Sequence, residues 1–211
     1  MNNKMEWNKS LPAIIAIVTA FILPIILSKR KKEGSKKKKD YSLNLAELGI
    51  KYEKIEKDDE RISFVKKLSL GQKAEGIFAL KGKKIDYIFI ISVTSQYGTN
   101  YSLEFIVKNT FNLRDEPIKN TRMKLKRDSL ISKKYVDLLW KGDMYLAQKL
   151  NMDYDLKYKL LNRILNEQKI NLRVVPDKKR GYTRIRTNFI PLSTDFIDAI
   201  DSIAGHIKTG L

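Results

Sequence analysis

The sequence contains no cysteine and only one histidine, His206. The absence of cysteine excludes disulfides, thiolate nucleophiles and cysteine-ligated zinc or iron–sulfur sites. A single histidine is a poor candidate for a catalytic triad or a metal centre. The Walker A, GxGxxG, HExxH and GxSxG patterns are also missing. The sequence therefore predicts no catalytic residue, metal site or cofactor, and an enzyme is not favoured.

Positive charge is what the chain has in excess. The 211 residues carry a net charge of +18, which favours anionic partners such as nucleic acid, acidic protein or lipid headgroups. Residues 28–40 account for +6 of this charge, and residues 41–211 account for +11. The hydrophobic content of 43% is sufficient for a packed core, so global disorder is not expected.

A long uncharged stretch near the N-terminus predicts a membrane-spanning helix over residues 11–27. Only Thr19 interrupts its apolar sequence. The uncharged residues 10–28 would span about 28 Å as a helix, close to the roughly 30 Å hydrocarbon core of a bilayer. A cleaved export signal is the main alternative. This apolar segment is longer than a typical signal core, and no small-residue cleavage pattern follows it.

The basic residues after the span predict its orientation. Two lysines precede the span and eight basic residues follow it, so the positive-inside rule places the N-terminal tail, residues 1–10, outside and the rest in the cytoplasm. Residues 28–40 form a basic juxtamembrane tether predicted to contact anionic headgroups. Its basic residues are Lys29, Arg30, Lys31, Lys32, Lys36, Lys37, Lys38 and Lys39.

The remaining sequence predicts an α+β domain. Residues 41–70 are expected to form a helical stalk or linker, and residues 71–211 the cytoplasmic domain. The alternating segments "AEGIFAL", "KIDYIFIISVT" and "YSLEFIVKNTF" predict an antiparallel meander with one strongly buried face. On its second strand, alternation assigns five residues to one face: Ile85, Tyr87, Phe89, Ile91 and Val93. A further strand is expected over 122–127.

The C-terminal third predicts helices around a hairpin. Residues 129–141 fit either a helix or a strand. Asp143 is a good N-cap for the helix that follows, and a second helix begins near Asp153 or Asp155. Residues 170–190 then predict a hairpin that turns near 177–181, and a last helix begins at Ser193 or Thr194.

Basic clusters are the strongest binding signal in the domain. One cluster lies within 119–134 and includes Arg122 and Lys124; the other lies within 173–186 and begins with Arg173. The residues predicted to bind a membrane surface or another anionic partner at the hairpin are Lys178, Lys179, Arg180, Arg184 and Arg186. A nucleic-acid-binding hairpin is the alternative interpretation, although Tyr182 alone does not form a stacking platform.

Two carboxylates offer a weaker catalytic alternative. Asp198 and Asp201 lie one turn apart on the last predicted helix, a spacing compatible with acid–base chemistry or cation binding. A solvated polar helix face explains them equally well. His206, at the end of the same helix, has the ordinary interpretation of a residue that interacts with the helix dipole.

Two segments, "KGDMYLAQKLNMDYDLKYKLL" and "FIDAIDSIAGHIK", support a family resemblance. From about Ala74 onward the chain resembles an uncharacterised family of archaeal and bacterial single-span, membrane-anchored proteins without an assigned activity. The resemblance implies architecture only. We therefore expect a single-pass cell-membrane protein whose cytoplasmic domain is a non-enzymatic module that binds another protein or the inner leaflet.

Overall fold

The computed structural model describes residues 36–37, 41–42, 44–67, 72–108, 118–128, 135–165 and 170–209, with the backbone alone at 64–67, Lys178 and Thr209. The predicted membrane span, residues 11–27, lies outside these ranges. All basic residues of the predicted tether except Lys36 and Lys37 also lie outside them. Within the described ranges, no helix is long and apolar enough to cross a bilayer.

The described residues form an α+β fold built on one eight-stranded sheet. The strands are β1 (Tyr52–Lys54), β2 (Gln72–Leu80), β3 (Tyr87–Ser95), β4 (Gly98–Lys108), β5 (Thr121–Arg127), β6 (Tyr135–Lys141), β7 (Arg173–Asp177) and β8 (Tyr182–Asn188). Their spatial order is β1-β2-β3-β4-β8-β7-β5-β6, and every pair is antiparallel. The predicted meander is confirmed as β2–β3–β4.

The C-terminal hairpin occupies the middle of the sheet. Strands β7 and β8 pair with each other around the 3₁₀ turn Lys178–Arg180 and Gly181, where the sequence predicts the turn. Strand β8 also pairs with β4, and β7 pairs with β5. The hairpin therefore joins the meander to the β5–β6 pair.

The sequence of residues 129–141 fits either a helix or a strand, and in the structure residues 135–141 form strand β6.

Three helices cover one face of this sheet: α1 (Met144–Met152), α2 (Tyr154–Leu165) and α3 (Thr194–Thr209). The predicted N-cap at Asp143 is confirmed, and the second helix begins after Asp153, within the predicted range. Asp143 Oδ1 accepts a hydrogen bond from Leu146 N at 3.0 Å, and Asp153 Oδ1 accepts one from Leu156 N at 2.9 Å. These bonds satisfy amide groups that have no partner in the first turn of a helix.

The helix layer and the sheet share one large apolar cluster. Seven apolar residues of α3 are buried: Phe196, Ile197, Ala199, Ile200, Ile203, Ala204 and Ile207. From the sheet, β4 contributes Phe105, whose ring lies edge-on to Phe196 with centroids 6.1 Å apart. These contacts fix which face of the sheet is covered by helices.

The opposite face of the meander is also buried. Tyr87, Phe89 and Ile91 of β3 belong to a second apolar cluster with Ile55 and Ile62. The expectation of one buried face was therefore wrong for β3, which lies between two apolar layers. Ile85 was assigned to the same face as Tyr87 but joins the helix-side cluster, because it lies before the strand begins and does not follow its alternation.

The predicted helical stalk differs from the structure in part. Residues 44–47 are helical, but Tyr52–Lys54 form strand β1 and pair with β2. Tyr41 and Leu45 are buried in the helix-side core. Their apolar side chains pack onto the meander, which explains why this segment is part of the fold.

Candidate anion-binding site

Four basic residues lie side by side on the sheet face opposite the helices. Arg186 of β8 pairs with Arg173 of β7, Arg173 pairs with Arg122 of β5, and Arg122 pairs with Lys141 of β6. Directly paired residues share a face with Cβ atoms about 4.5–5.5 Å apart. We call Arg186, Arg173, Arg122 and Lys141 the basic row. At about 4.8 Å per strand it extends for about 14 Å.

Most of the positive charge in the basic row has no acidic partner. Arg122, Arg173 and Lys141 are exposed. Among the described residues, no carboxylate lies within ion-pair distance of these three. Like charges on directly opposed residues destabilise a sheet. The row therefore carries a local electrostatic cost that a bound anion would offset.

One buried carboxylate ends the row. Glu104 of β4 pairs with Arg186 and is only 1% exposed. Its Oε1 lies 2.8 Å from Arg186 Nε, and its Oε2 lies 3.9 Å from Arg184 Nη1. The closer contact is an ion pair without the angles of a hydrogen bond. Two arginines thus lie near this carboxylate, and Arg184 also lies 3.8 Å from Asp177 Oδ2.

A cleft opens where strands β5 and β7 separate. Their pairing is limited to Thr121 with Val174 and Arg122 with Arg173. Leu172 O accepts a hydrogen bond from Met123 N at 3.0 Å, so the backbone polar groups of Leu172 point toward β5. Because these groups alternate along a strand, those of residue 176 point toward β5 as well. Pro176 has no N–H to donate there. The cleft at the paired end of these strands has a volume of ≈ 550 Å³ and is lined by Asn120, Thr121, Arg122, Lys141, Gly142, Arg173, Val174, Val175 and Arg186.

Buried polar contacts fix the wall of this cleft. Asp143 accepts from Lys119 N at 3.0 Å, and its own N–H donates to Thr121 Oγ1 at 3.0 Å. Asp143 is 5% exposed and Thr121 is 1% exposed. Gly142 has φ 142°, and a Cβ there would meet Asn120 O and lie 2.6 Å from Thr121 Cα. Only glycine fits this close approach.

The basic residues predicted at the hairpin do not act as one free patch. Lys179 is exposed, and the Lys178 side chain lies outside the described residues. Arg180 and Arg184 lie 3.5 Å and 3.8 Å from Asp177 Oδ2. Tyr182 is 5% exposed, and its burial raises the pKa of the phenol. Its ring is thus not available to stack on a base.

The described part of the predicted tether touches the helix-side face of the sheet. Lys37 Nζ lies 4.6 Å from the ring centroid of Tyr101 and 4.7 Å from that of Phe189. These are cation–π distances. Phe189 lies three residues beyond Arg186, which corresponds to about 10 Å along an extended chain. Both rings pack against the helix-side cluster, so the tether contacts the sheet on the face opposite the basic row.

The carboxylates of the catalytic alternative make structural contacts. Asp198 Oδ1 pairs with Lys83 Nζ at 2.8 Å. Asp201 Oδ1 accepts from Lys84 N at 2.6 Å and from Ile85 N at 3.1 Å. Both carboxylates thus attach α3 to the β2–β3 turn. Within the described ranges, no group of three or more His, Asp or Glu side chains is placed to hold a metal ion.

His206 and Asp153 link two helices. His206 Nε2 lies 2.7 Å from Asp153 Oδ2, which also accepts from Ser202 Oγ at 3.0 Å. Burial raises the pKa of Asp153, but hydrogen bonds from Leu156 N, His206 and Ser202 outweigh it. The pKa therefore lies below its ordinary value. The pair attaches the beginning of α2 to α3, on the side of the sheet opposite the basic row.

The sequence places Arg122 in one basic cluster and Arg173 and Arg186 in the other, and Lys141 lies in neither. It did not bring the four together, because their proximity depends on the register of three strand pairs. A scan against models of known protein families and searches of curated proteins and of solved structures found no match.

Proposed function

We propose that this protein is a non-enzymatic, single-pass membrane protein whose cytoplasmic α+β domain binds the anionic inner leaflet through the basic row. The anchor is residues 11–27, with the N-terminus outside. The observation that carries the proposal is the row itself: Arg122, Arg173 and Lys141 are exposed neighbours without an acidic partner among the described residues.

The short link between the predicted span and the domain favours a partner in the membrane. Residues 28–40 would follow the span directly, and Lys37 contacts Tyr101 and Phe189 on the helix-side face of the same sheet. A surface held this close to a bilayer meets headgroups at a high effective concentration. Each lysine or arginine near an anionic leaflet contributes about 1 kcal/mol.

Nucleic acid is the less favoured partner. Single-strand binders combine a basic groove with exposed aromatic rings, whereas Tyr182 is buried on this face. Arg180 and Arg184 of the hairpin have Asp177 within 4 Å. Binding of DNA or RNA that falls steeply with salt, without any response to anionic lipid, would favour this alternative instead.

The anchor has a direct test. Membranes washed with high salt should retain the protein, and detergent should release it; release by salt alone would contradict the anchor. Protease added to sealed cells should leave residues beyond Lys39 intact, whereas digestion there would reverse the orientation.

Surface binding is tested with site-specific labels on the full chain in lipid nanodiscs. The chain has no cysteine, so each introduced cysteine is a unique attachment point. Leu139→Cys places a fluorophore on the open face, because Leu139 is 44% exposed and pairs with Lys124. Tyr158→Cys is the matched control in the helix layer, at a residue that is 66% exposed.

Quenching by spin-labelled headgroups should be stronger at position 139 in anionic nanodiscs than in neutral ones. High salt should remove the difference, because exposed charges are screened within about 10 Å at 0.1 M. Position 158 should respond equally in both lipids. Equal quenching at 139 in neutral and anionic nanodiscs would overturn the proposal.

A further inference from the structure

We propose that the cleft between β5 and β7 is a specific site for a phosphomonoester group, held by Arg122, Arg173 and Arg186 with Lys141 at its edge. This inference rests on the proposed function and narrows its ligand from anionic surfaces in general to one phosphate chemistry. A lipid headgroup and a soluble phosphate ester both carry such a group.

Charge favours a phosphomonoester over other common anions. The basic row carries four positive charges, and among the described residues Glu104 is the one carboxylate paired with it. A carboxylate or a phosphodiester brings a single negative charge. A phosphomonoester carries about −1.5 to −2 near neutral pH and presents three acceptor oxygens. It therefore offsets most of the repulsion among the four cations.

The residue types in the cleft fit the same group. Three of the four cations are arginines on adjacent strands, about 5 Å apart at Cβ. A guanidinium presents a planar fork of N–H donors that matches the oxygens of phosphate. Two neighbouring forks on one sheet face can thus donate to one phosphate group from both sides.

The cleft is also built before a ligand arrives. The buried Asp143–Thr121 contacts fix residues 119–121, and Gly142 allows the close approach to Asn120. The cleft volume of ≈ 550 Å³ lies within the range of small-molecule sites, about 300–1,000 Å³. A preformed site loses less free energy in ordering when it binds.

The test has a lipid arm and a soluble arm, both with the full chain at pH 7.5. In nanodiscs, the label at position 139 reports contact with phosphatidate, a phosphomonoester lipid, or with phosphatidylglycerol, a phosphodiester lipid, at matched total charge. In non-ionic detergent, glycerol phosphate is titrated calorimetrically, with dimethyl phosphate as the diester control.

We expect a response to phosphatidate at a concentration about tenfold lower than to phosphatidylglycerol. Arg122→Gln and Arg173→Gln should each weaken phosphomonoester binding by about 10- to 100-fold, since hydrogen bonds between charged groups are lost. Lys124→Gln is the matched control. Lys124 is an exposed cation two residues along the same face but outside the cleft lining, so its loss should change binding less than about twofold.

The outcomes separate the inference from the proposed function. Preference for phosphatidate supports both and identifies a lipid ligand. Binding of glycerol phosphate without any anionic-lipid response supports the site, identifies a soluble ligand and overturns the leaflet proposal. Equal responses to the two lipids without binding of glycerol phosphate overturn the phosphomonoester site and leave the leaflet proposal intact. A response in neither arm overturns both, and equal weakening by Lys124→Gln overturns the assignment to this cleft.

Discussion

One series of directly paired residues crosses the sheet and passes through two different environments. On the meander, Ile77, Phe89 and Glu104 are directly paired neighbours, and the first two belong to a buried apolar cluster. The same line continues from Glu104 through Arg186, Arg173, Arg122 and Lys141. One half of the sheet is therefore apolar on both faces, and the other half has one apolar face and one basic face.

This contrast separates stability from binding. An apolar residue buried between two layers contributes about 1.5–3 kcal/mol by leaving water. An exposed arginine opposed to another arginine contributes little to folding or opposes it. Residues that repel each other in the free protein and face solvent are expected where a ligand supplies the missing charge.

The largest expected difference in stability is between substitutions at two positions of this line, Phe89 and Arg173. Phe89→Ala should lower the free energy of unfolding by about 3–5 kcal/mol, because Phe89 is 2% exposed. Arg173→Gln should change it by less than about 0.5 kcal/mol or raise it slightly, because a repulsion is removed. Denaturant unfolding of the two variants measures both values. A cost above 2 kcal/mol for Arg173→Gln would contradict the separation of the two halves.

The next largest effect tests the cleft wall. Gly142→Ala should cost about 2–3 kcal/mol, because the added Cβ meets the backbone of Asn120 and Thr121 in a strained conformation. Gly82→Ala is the control: it also has positive φ (73°), but a Cβ there meets nothing within 4 Å. Thermal unfolding should show a smaller loss for Gly82→Ala. Equal losses would mean that the close approach to residues 120–121 does not matter.

Removing the charge of Glu104, at the junction of the two halves, should have an intermediate effect on stability. Glu104→Gln leaves Arg184 and Arg186 without their shared partner, at a cost of about 1–2 kcal/mol at low salt. This is less than for a fully buried pair because Arg186 is 35% exposed. Added pyrophosphate should restore more stability to this variant than to the unaltered protein. Unfolding midpoints with and without pyrophosphate give the comparison, and equal shifts in both proteins would count against an anion at the row.

The smallest expected loss of stability is for a substitution in the helix layer. Asp153→Asn weakens the bonds to Leu156 N, Ser202 and His206 and should cost about 1 kcal/mol at neutral pH. The pKa of Asp153 is lowered in the folded protein, so its stabilisation is complete above the unfolded pKa, about 3.9. That stabilisation is lost as pH falls through the folded pKa.

The loss caused by Asp153→Asn should therefore shrink below about pH 4. Unfolding curves from pH 7 to pH 2 test this trend, and a loss that stays constant across the range would contradict it. Anion binding should not change in this variant, since Asp153 lies on the opposite side of the sheet from the row.

Local signals in the sequence were sufficient for the α+β class, the meander, the hairpin turn and the helix starts. Asp143 and Asp153 mark their helices because capping depends on residues three positions apart. The pairing of β8 with β4 joins segments about eighty residues apart, and no local pattern specifies it. The basic row depends on that arrangement, so single clusters such as 173–186 indicated charge without showing which residues meet. Tyr52–Lys54 was misassigned because a three-residue strand has too few residues to show alternation.

The central claim is that the basic half of the sheet faces anionic headgroups. The most direct test is headgroup quenching at position 139 in anionic nanodiscs, comparing the unaltered row with the Arg122→Gln/Arg173→Gln double variant. Both arginines are exposed, so the fold should survive and unfolding midpoints should agree. We expect quenching in the double variant to fall to the level seen in neutral nanodiscs. Unchanged quenching in a normally folded double variant would contradict the claim.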